Sequence, residues 1–379
     1  MLRQFIKSII DGVIQIEYLF FTRKARRQKS VLIFRKDGLG DYILFYPFLK
    51  YFRAYYKDYK ITLVVPKVAN GLTPLLKNFD EIIEFDAKQF SNNFFYRRSF
   101  IKNLARRGYE IAIYPAYSRE PIGDMIIRLT GATKKIGIKT TGDNSTYTDL
   151  IEIPQTTTSE IHRNRHFAEQ CTRQKIALSL PTIDIALFDD TLARELMRTH
   201  HLIPKKFCVV FAGAGAEYRK WPEERFSAMC DYLSSHDIIP VVCGGPDDKN
   251  TARQIVSKSA HPERIVNLAG ATDISALAHI LHASLFYFGN DTGALHLAAA
   301  LNVPVVCLLG GGGFERFFPY GDHEQNLSVF DEHMKCKNDG WDCAKECRGD
   351  ERAPCIMGIT LENAKKVVDT MLVRLNNRR

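Results

Sequence analysis

A phosphate is the ligand best suited to the segment Gly289-Asn290-Asp291-Thr292-Gly293-Ala294-Leu295-His296. An apolar run ends there in a tight Gly/Asn turn, and a helix of small residues is expected to follow. The first turn of a helix presents unbonded backbone N–H groups and a partial positive charge, and together these bind phosphate. Asp291 or Thr292 is placed to cap that helix. Gly293 leaves room for a diphosphate to approach, and His296 lies one turn further along the same face. A carboxylate beside a phosphate is unfavourable unless it meets hydroxyls, which points Asp291 at a sugar. A capped core helix with a buried histidine is the structural alternative. A second segment, Ala212-Gly213-Ala214-Gly215-Ala216 followed by Arg219-Lys220-Trp221-Pro222, complements the first. Gly213 and Ala214 let backbone amides reach an anion, and Arg219 or Lys220 would stabilise negative charge on a departing diphosphate. An exposed basic turn is the alternative there.

Four cysteines carry a different chemistry. Cys336, Cys343, Cys347 and Cys355 lie in a Gly- and charge-rich stretch with little apolar content. Four thiolates can hold Zn²⁺ or iron tetrahedrally and stabilise a loop that has no core of its own. The usual pairs of cysteines two residues apart are missing, so disulfides, redox-labile thiols and free cysteines stay open as readings. No His or carboxylate triad is arranged for an open coordination site, so no catalytic metal is expected. The other five cysteines (Cys171, Cys208, Cys230, Cys243 and Cys307) fall within apolar strand or helix patterns and read as core.

These residues need elements to position them. From Ser30 onward, short apolar runs alternate with helical patterns. Strands are predicted at 31–34, 61–65, 81–85, 110–114 and 135–138, with a helix over 42–56. The rhythm lapses over 139–181, which is polar and Thr-rich before an Arg/His-rich helix. It restarts with strands at 207–211, 238–242, 264–267, 285–288 and 303–308, and helices beginning near Pro222, Asp247, Asp273 and Thr292. Such alternation implies parallel sheets with helices on both faces. Ligands then sit beyond the carboxyl ends of the strands, at the loops that hold both segments above. The loop after the first strand, Arg35-Lys36-Asp37-Gly38-Leu39-Gly40-Asp41, is one of these ends, with Asp41 suited to cap the next helix. A chain of 379 residues fits two such domains.

The formal net charge of +9 favours an anionic partner. No zinc finger, recognition module or Arg-rich array singles out nucleic acid, and none is expected. Leu2, Phe5, Ile6, Ile9, Ile10, Val13, Ile16 and Phe20 form one helical stripe ahead of Arg23, Lys24, Arg26, Arg27 and Lys29. That pattern suits an anionic membrane surface, or else a helix packed on its own domain. No stretch is long and apolar enough for a span, and charges interrupt the N-terminal apolar residues, so neither an anchor nor a secretory signal is expected. The resulting expectation is a cytoplasmic protein, peripheral on the inner membrane.

The 289–300 segment resembles the donor-binding motif of the ADP-heptose:lipopolysaccharide heptosyltransferases. Pro304-Val305-Val306-Cys307-Leu308-Leu309-Gly310 and Arg316 through Pro319-Tyr320-Gly321 continue the likeness. It runs in order through residues 30–330. It implies a GT-B fold of two Rossmann-like doubly wound domains facing across a cleft, with a C-terminal helix crossing back to the first domain. Domains are accordingly expected at 30–182 (acceptor-binding) and 183–330 (donor-binding), between an amphipathic basic segment 1–29, a Cys-rich loop 331–357 and a closing helix 358–379. The resemblance also implies inverting transfer of a sugar, heptose from ADP-heptose, to a lipopolysaccharide-core acceptor, with no cofactor. Asp41 matches the aspartate proposed as general base in that family. The family usually has Lys two residues before the Trp, where this chain has Arg219, so Arg219 and Lys220 compete for the phosphate role. Lys36, Arg163 and Arg165, with His162 and His166 nearby, are candidates for an anionic acceptor, or simply a solvated face. Transfer of another nucleotide-sugar or to a protein, a nucleotide-sugar epimerase, and a non-catalytic nucleotide-binding module are the rival functions.

Overall fold

The computed structural model describes residues 28–157, 159–320, 324–336 and 352–377. The N-terminal amphipathic segment, Cys343 and Cys347 lie outside the described residues. The chain divides into two compact units. One comprises residues 1–38, 48–157 and 162–179; the other comprises 39–47, 158–161 and 180–379. The main boundary thus falls between 179 and 180. Two short segments from the N-terminal half, 39–47 and 158–161, group with the second unit.

The first unit holds β1 (Gln28–Phe34), β2 (Lys60–Pro66), β3 (Glu81–Phe85), β4 (Tyr109–Tyr114), β5 (Lys134–Ile138) and β6 (Asp149–Ile151). Its helices are the later part of α1 (Leu39–Tyr55), then α2 (Ala87–Asn92), α3 (Phe94–Arg106), α4 (Pro121–Leu129) and most of α5 (Glu160–Thr172). The strands form one sheet in the order β3-β2-β1-β4-β5-β6. Every pairing is parallel, with Ile33 opposite both Leu63 and Ile113. Val31 through Phe34 are all buried, as expected of a strand covered on both faces. Phe34, Phe85, Phe90, Phe100 and Tyr114 form the aromatic centre of the core; the Phe34 and Phe85 rings meet edge to face at 5.4 Å.

The second unit holds α6 (Thr191–Thr199), β7 (Phe207–Phe211), α7 (Glu223–Ser235), β8 (Ile239–Cys243), α8 (Lys249–Ser257), β9 (Val266–Asn267) and α9 (Ile274–Ala283). It continues with β10 (Phe286–Asn290), α10 (Gly293–Ala300), β11 (Val305–Leu308), β12 (Asn326–Val329), α11 (Pro354–Met357) and α12 (Leu361–Asn377). Its sheet runs β12-β11-β10-β7-β8-β9, again wholly parallel. Counted within its own unit, each sheet has the strand order 3-2-1-4-5-6, the doubly wound Rossmann order. The five cysteines predicted for the core are buried.

Three expectations change at this level. The segment 139–181 does not abandon the α/β rhythm, because β6 and α5 complete the first unit there. Three-residue β6 is too short to show a period. Asp41 does not cap the following helix. α1 begins at Leu39 behind Gly38, and Asp41 lies inside its first turn. The closing helix, expected to cross back to the first domain, belongs to the second unit and packs there on β11, β12 and α7. Trp221 secures its start by donating its indole N–H to the Ile359 carbonyl at 2.9 Å.

Candidate active site

A doubly wound sheet opens a crevice where the strand order reverses, because the crossovers on either side of that point leave in opposite directions. In the second unit this point lies between β7 and β10. The loops leaving those two strands are 212–222 and 291–293, the two segments whose residues suggested phosphate binding. Asn290 joins them. Its side chain is 1% exposed, donates to the Ala212 carbonyl at 2.7 Å and accepts from the Trp221 N–H at 3.3 Å. Tyr287 donates its hydroxyl to the Asn290 carbonyl at 2.8 Å from one turn of strand below.

Thr292, not Asp291, caps α10. Its hydroxyl accepts from the Ala294 N–H at 3.3 Å, in extended backbone conformation. Asp291 is thereby released for a different role. Arg219 donates through one Nη to both its carboxylate, at 3.0 Å, and its carbonyl, at 2.9 Å. His296 Nε2 faces the other carboxylate oxygen at 3.6 Å. Burial pushes the Asp291 carboxyl up, but His296 and Arg219 outweigh it, so it sits below 3.8. It therefore stays ionised, and its charge is already matched within the protein.

The ring of His296 is held from the far side as well. Nδ1 lies 3.0 Å from Tyr320 Oη, and the two rings stack at 5.7 Å with an 8° interplanar angle. Burial, with Asp291 and Cys307 nearby, raises the Tyr320 phenol, which keeps its proton. The tautomer that satisfies the whole chain has Tyr320 donating to Nδ1 and the Nε2–H turned toward Asp291. Tyr320 had been read only as part of a motif. Its signal was the spacing of an aromatic hydroxyl behind a buried histidine, which only the fold brings together.

Two glycines fix where the first turn of α1 sits in this unit. A Cβ on Gly40 would stand 2.5 Å from His296 Cδ2, and a Cβ on Gly293 would stand 2.7 Å from Leu39 Cβ. Leu39 packs against Gly293 where a side chain would not fit. The consequence is that Gly40, next to Asp41, rests directly on the histidine of the phosphate-type helix. Of the two candidate cations, Arg219 reaches the 289–296 turn, whereas Lys220 pairs with Glu217 at 2.8 Å. Gly213 approaches Asp248, whose carboxylate accepts from the Gly245 N–H at 2.9 Å and closes the neighbouring loop. Beyond β11, Arg316 and Glu160 form a buried pair at 3.2 Å, each 4% exposed at the side chain. The Glu160 N–H donates to the Arg316 carbonyl at 2.8 Å.

The candidate acceptor residues lie in the first unit, near its own reversal point between β1 and β4. Lys36 pairs with Glu120 at 2.7 Å, and buried Arg35 reaches Asp37 at 2.8 Å and Asn164 at 3.2 Å. Arg163 lies over the Tyr117 ring at 3.8 Å and donates to the Thr157 carbonyl. Arg165 stands beside His162, whose imidazole burial and this cation hold below 6.5. His166 contacts the Glu152 carbonyl at 3.1 Å. Of the four clustered cysteines, Cys336 Sγ occupies the space that a Cβ on Gly311 would need, and Cys355 Sγ lies 3.3 Å from a Cβ on Gly310. Among the described residues no three ligating side chains are placed to hold a metal.

A sheet pair of this order is shared with known proteins. The family model of glycosyltransferase family 9 (heptosyltransferase) matches residues 97–345. The chain belongs to that family. A stretch of 103 residues is 28% identical to lipooligosaccharide heptosyltransferase 2 of Haemophilus influenzae, covering 25% of this chain and 29% of that relative. The match thus spans less than a third of the relative's length. Among solved structures, a glycosyl transferase family 9 protein from Veillonella parvula superposes with TM-score 0.70 at 19% identity, covering 93% of this chain and 98% of the other. ADP-heptose lipopolysaccharide heptosyltransferase II of E. coli gives 0.70 at 16% identity, with 92% and 99% covered. At such identities the likeness establishes the fold, which is GT-B.

Proposed function

We propose that the chain is an inverting glycosyltransferase that moves heptose from ADP-heptose, or a closely related nucleotide-sugar, to a lipopolysaccharide-core acceptor. The observation that carries this reading is the meeting of Arg219, Asp291 and His296 at the N-terminus of α10, with the Gly40–Asp41 turn packed on His296. In this reading the donor diphosphate takes the unbonded N–H groups of α10 and the guanidinium of Arg219. Asp291 is neutralised by Arg219, so it meets sugar hydroxyls without repelling the phosphates. Asp41 removes the proton of the acceptor hydroxyl as that oxygen attacks the anomeric carbon. The bond from the anomeric carbon to the diphosphate breaks, and its electron pair leaves on the phosphate oxygen, where Arg219 and the helix N-terminus stabilise it. One in-line displacement inverts the anomeric configuration. Protein cations and a helix dipole supply the neutralisation, and no cofactor is invoked.

Lys36 and Arg163, with Arg165 less directly, are proposed to meet anionic groups of the acceptor. The protein is proposed to work at the cytoplasmic face of the inner membrane. Among the described residues no helix is long and apolar enough to cross a membrane. A structural Zn²⁺ or iron on Cys336, Cys343, Cys347 and Cys355 is also proposed. Its role would be to hold the loop in place.

The test is transfer in vitro from ADP-heptose to heptose-free core glycolipid, read by mass and by NMR of the new anomeric centre. A gain of one heptose in inverted configuration is expected. Retained configuration would contradict the single displacement, and a gain only from another nucleotide-sugar would overturn the donor assignment.

A further inference from the structure

Arg219 stands on a short support. It closes a single 3₁₀ turn, Glu217–Arg219, in which the Arg219 N–H donates to the Ala216 carbonyl at 3.1 Å and the Lys220 N–H to the Glu217 carbonyl at 3.0 Å. Such a turn has poor hydrogen-bond geometry and little stability of its own, and the Arg219 side chain is 40% exposed. What holds this arch in place is a segment from the far end of the chain, residues 352–359. Ala353 donates its N–H to the Tyr218 carbonyl at 2.9 Å. Arg352 pairs with Glu223, in the first turn of α7, and lies 3.9 Å from the Glu217 carboxylate. Arg225 donates to the carbonyls of Met357 and Ile359 at 2.7 and 2.6 Å, and the Trp221 indole also reaches Ile359. The returning segment thus grips residues 217, 218, 221, 223 and 225, on both sides of Arg219 and Lys220.

Charge adds to this grip. Glu217 and Glu223 bracket the two cations in sequence. Glu217 already faces Lys220 at 2.8 Å, and the Glu223 side chain is only 11% exposed. Left without a cation, two carboxylates in the arch would oppose an anion arriving at Arg219. A guanidinium presents its donors in a rigid fork, which suits it to reach both carboxylates from one position. Ala353, the next residue, is pinned to the same turn, so the guanidinium approaches from a fixed backbone.

We propose that Arg352 is a positioning residue of the diphosphate site. It bridges Glu217 and Glu223, keeps the arch in the shape that sets Arg219 on Asp291, and cancels carboxylate charge that would repel the ligand. It acts through those two glutamates rather than on the ligand. The identity of that ligand as a nucleoside diphosphate rests on the donor reading above; the clamp itself does not.

The test compares the full native chain with Arg352→Gln and with Arg352→Gln/Glu223→Gln. The double variant removes both charges, so it leaves no buried carboxylate uncompensated. ADP and adenosine binding are read by calorimetry, and amide hydrogen exchange is read on the ligand-free chains. Arg352→Gln is expected to bind ADP about tenfold more weakly and the double variant about threefold. Both should bind adenosine like the native chain, because only the phosphates meet the arch. Arg352→Lys should recover part of the ADP affinity. The amides of Arg219, Lys220 and Trp221 should exchange faster in both glutamine variants. Native-like ADP affinity in both variants overturns the proposal. Equal losses for ADP and adenosine overturn it too, since they mark a general loosening of the unit. If the native chain binds no ADP, the donor reading falls and exchange alone decides the clamp: faster exchange at 219–221 upholds it, and unchanged exchange overturns it.

Discussion

The two reversal points are built on the same strand order but filled differently. In the second unit, buried polar groups are tied to one another: Asn290 to the 212–221 loop, Arg219 to Asp291, and His296 between Asp291 and Tyr320. In the first unit, basic side chains hold short local partners: Lys36 pairs with the largely exposed Glu120, and Arg163 lies over Tyr117 and donates to the Thr157 carbonyl. A connected network holds one geometry because moving one member leaves others unsatisfied in a low dielectric. A pair such as Lys36–Glu120, whose carboxylate is largely exposed, can be rearranged at little cost. A nucleoside diphosphate is common to many transfer reactions and suits the first design, while the second design suits acceptors that differ from protein to protein.

Substitutions test that contrast directly. The largest effect is expected at the buried Arg316–Glu160 pair. Arg316→Met should cost about 3–5 kcal/mol of stability in urea unfolding, because it leaves Glu160 buried and uncompensated. Adding Glu160→Leu should restore most of that loss. Next comes acid sensitivity. The Asp291 carboxyl is depressed below 3.8 in the folded chain, so its stabilising contribution is complete above the ordinary aspartate range. It is lost as pH falls through the folded value. Melting temperatures followed toward acid should therefore fall more gently in Asp291→Asn than in the native chain. Tyr320→Phe removes one hydrogen bond from His296 and should weaken donor binding by about five- to tenfold, near 1 kcal/mol. Lys36→Ala breaks a pair whose carboxylate is largely exposed. It should change stability by less than about 1 kcal/mol and raise the acceptor KM only a few-fold. A Lys36 effect on folding as large as that of Arg316 would erase the distinction between the two rims.

The sequence showed the α/β alternation and most strand positions because both sheets are parallel and buried, giving short continuous apolar runs. β6 and β12 were missed because edge strands of three or four residues show no period. The loops 212–222 and 289–296 stood out because glycine, small residues and a helix cap must follow one another in the chain. Strand order was not accessible in the same way, so the meeting of 212–222 and 291–293 between β7 and β10 had to come from the fold. The Asp41 cap was misassigned, and the choice between Asp291 and Thr292 stayed open, for a related reason. Asp and Thr are equally good caps in isolation, and only the position of Arg219 shows that Asp291 has another partner. Gly293 showed that something comes close, but not that Leu39 is among its neighbours.

Binding of ADP by calorimetry, to the native chain and to Asp41→Asn and Arg219→Ala variants, tests the central claim most directly. The second unit should hold the nucleoside diphosphate while Asp41 serves the chemistry. Asp41→Asn is therefore expected to bind ADP like the native chain yet transfer about 10²–10⁴-fold more slowly, and Arg219→Ala to bind at least about tenfold more weakly. Native-like ADP binding by Arg219→Ala, or native-like transfer by Asp41→Asn, would contradict the account.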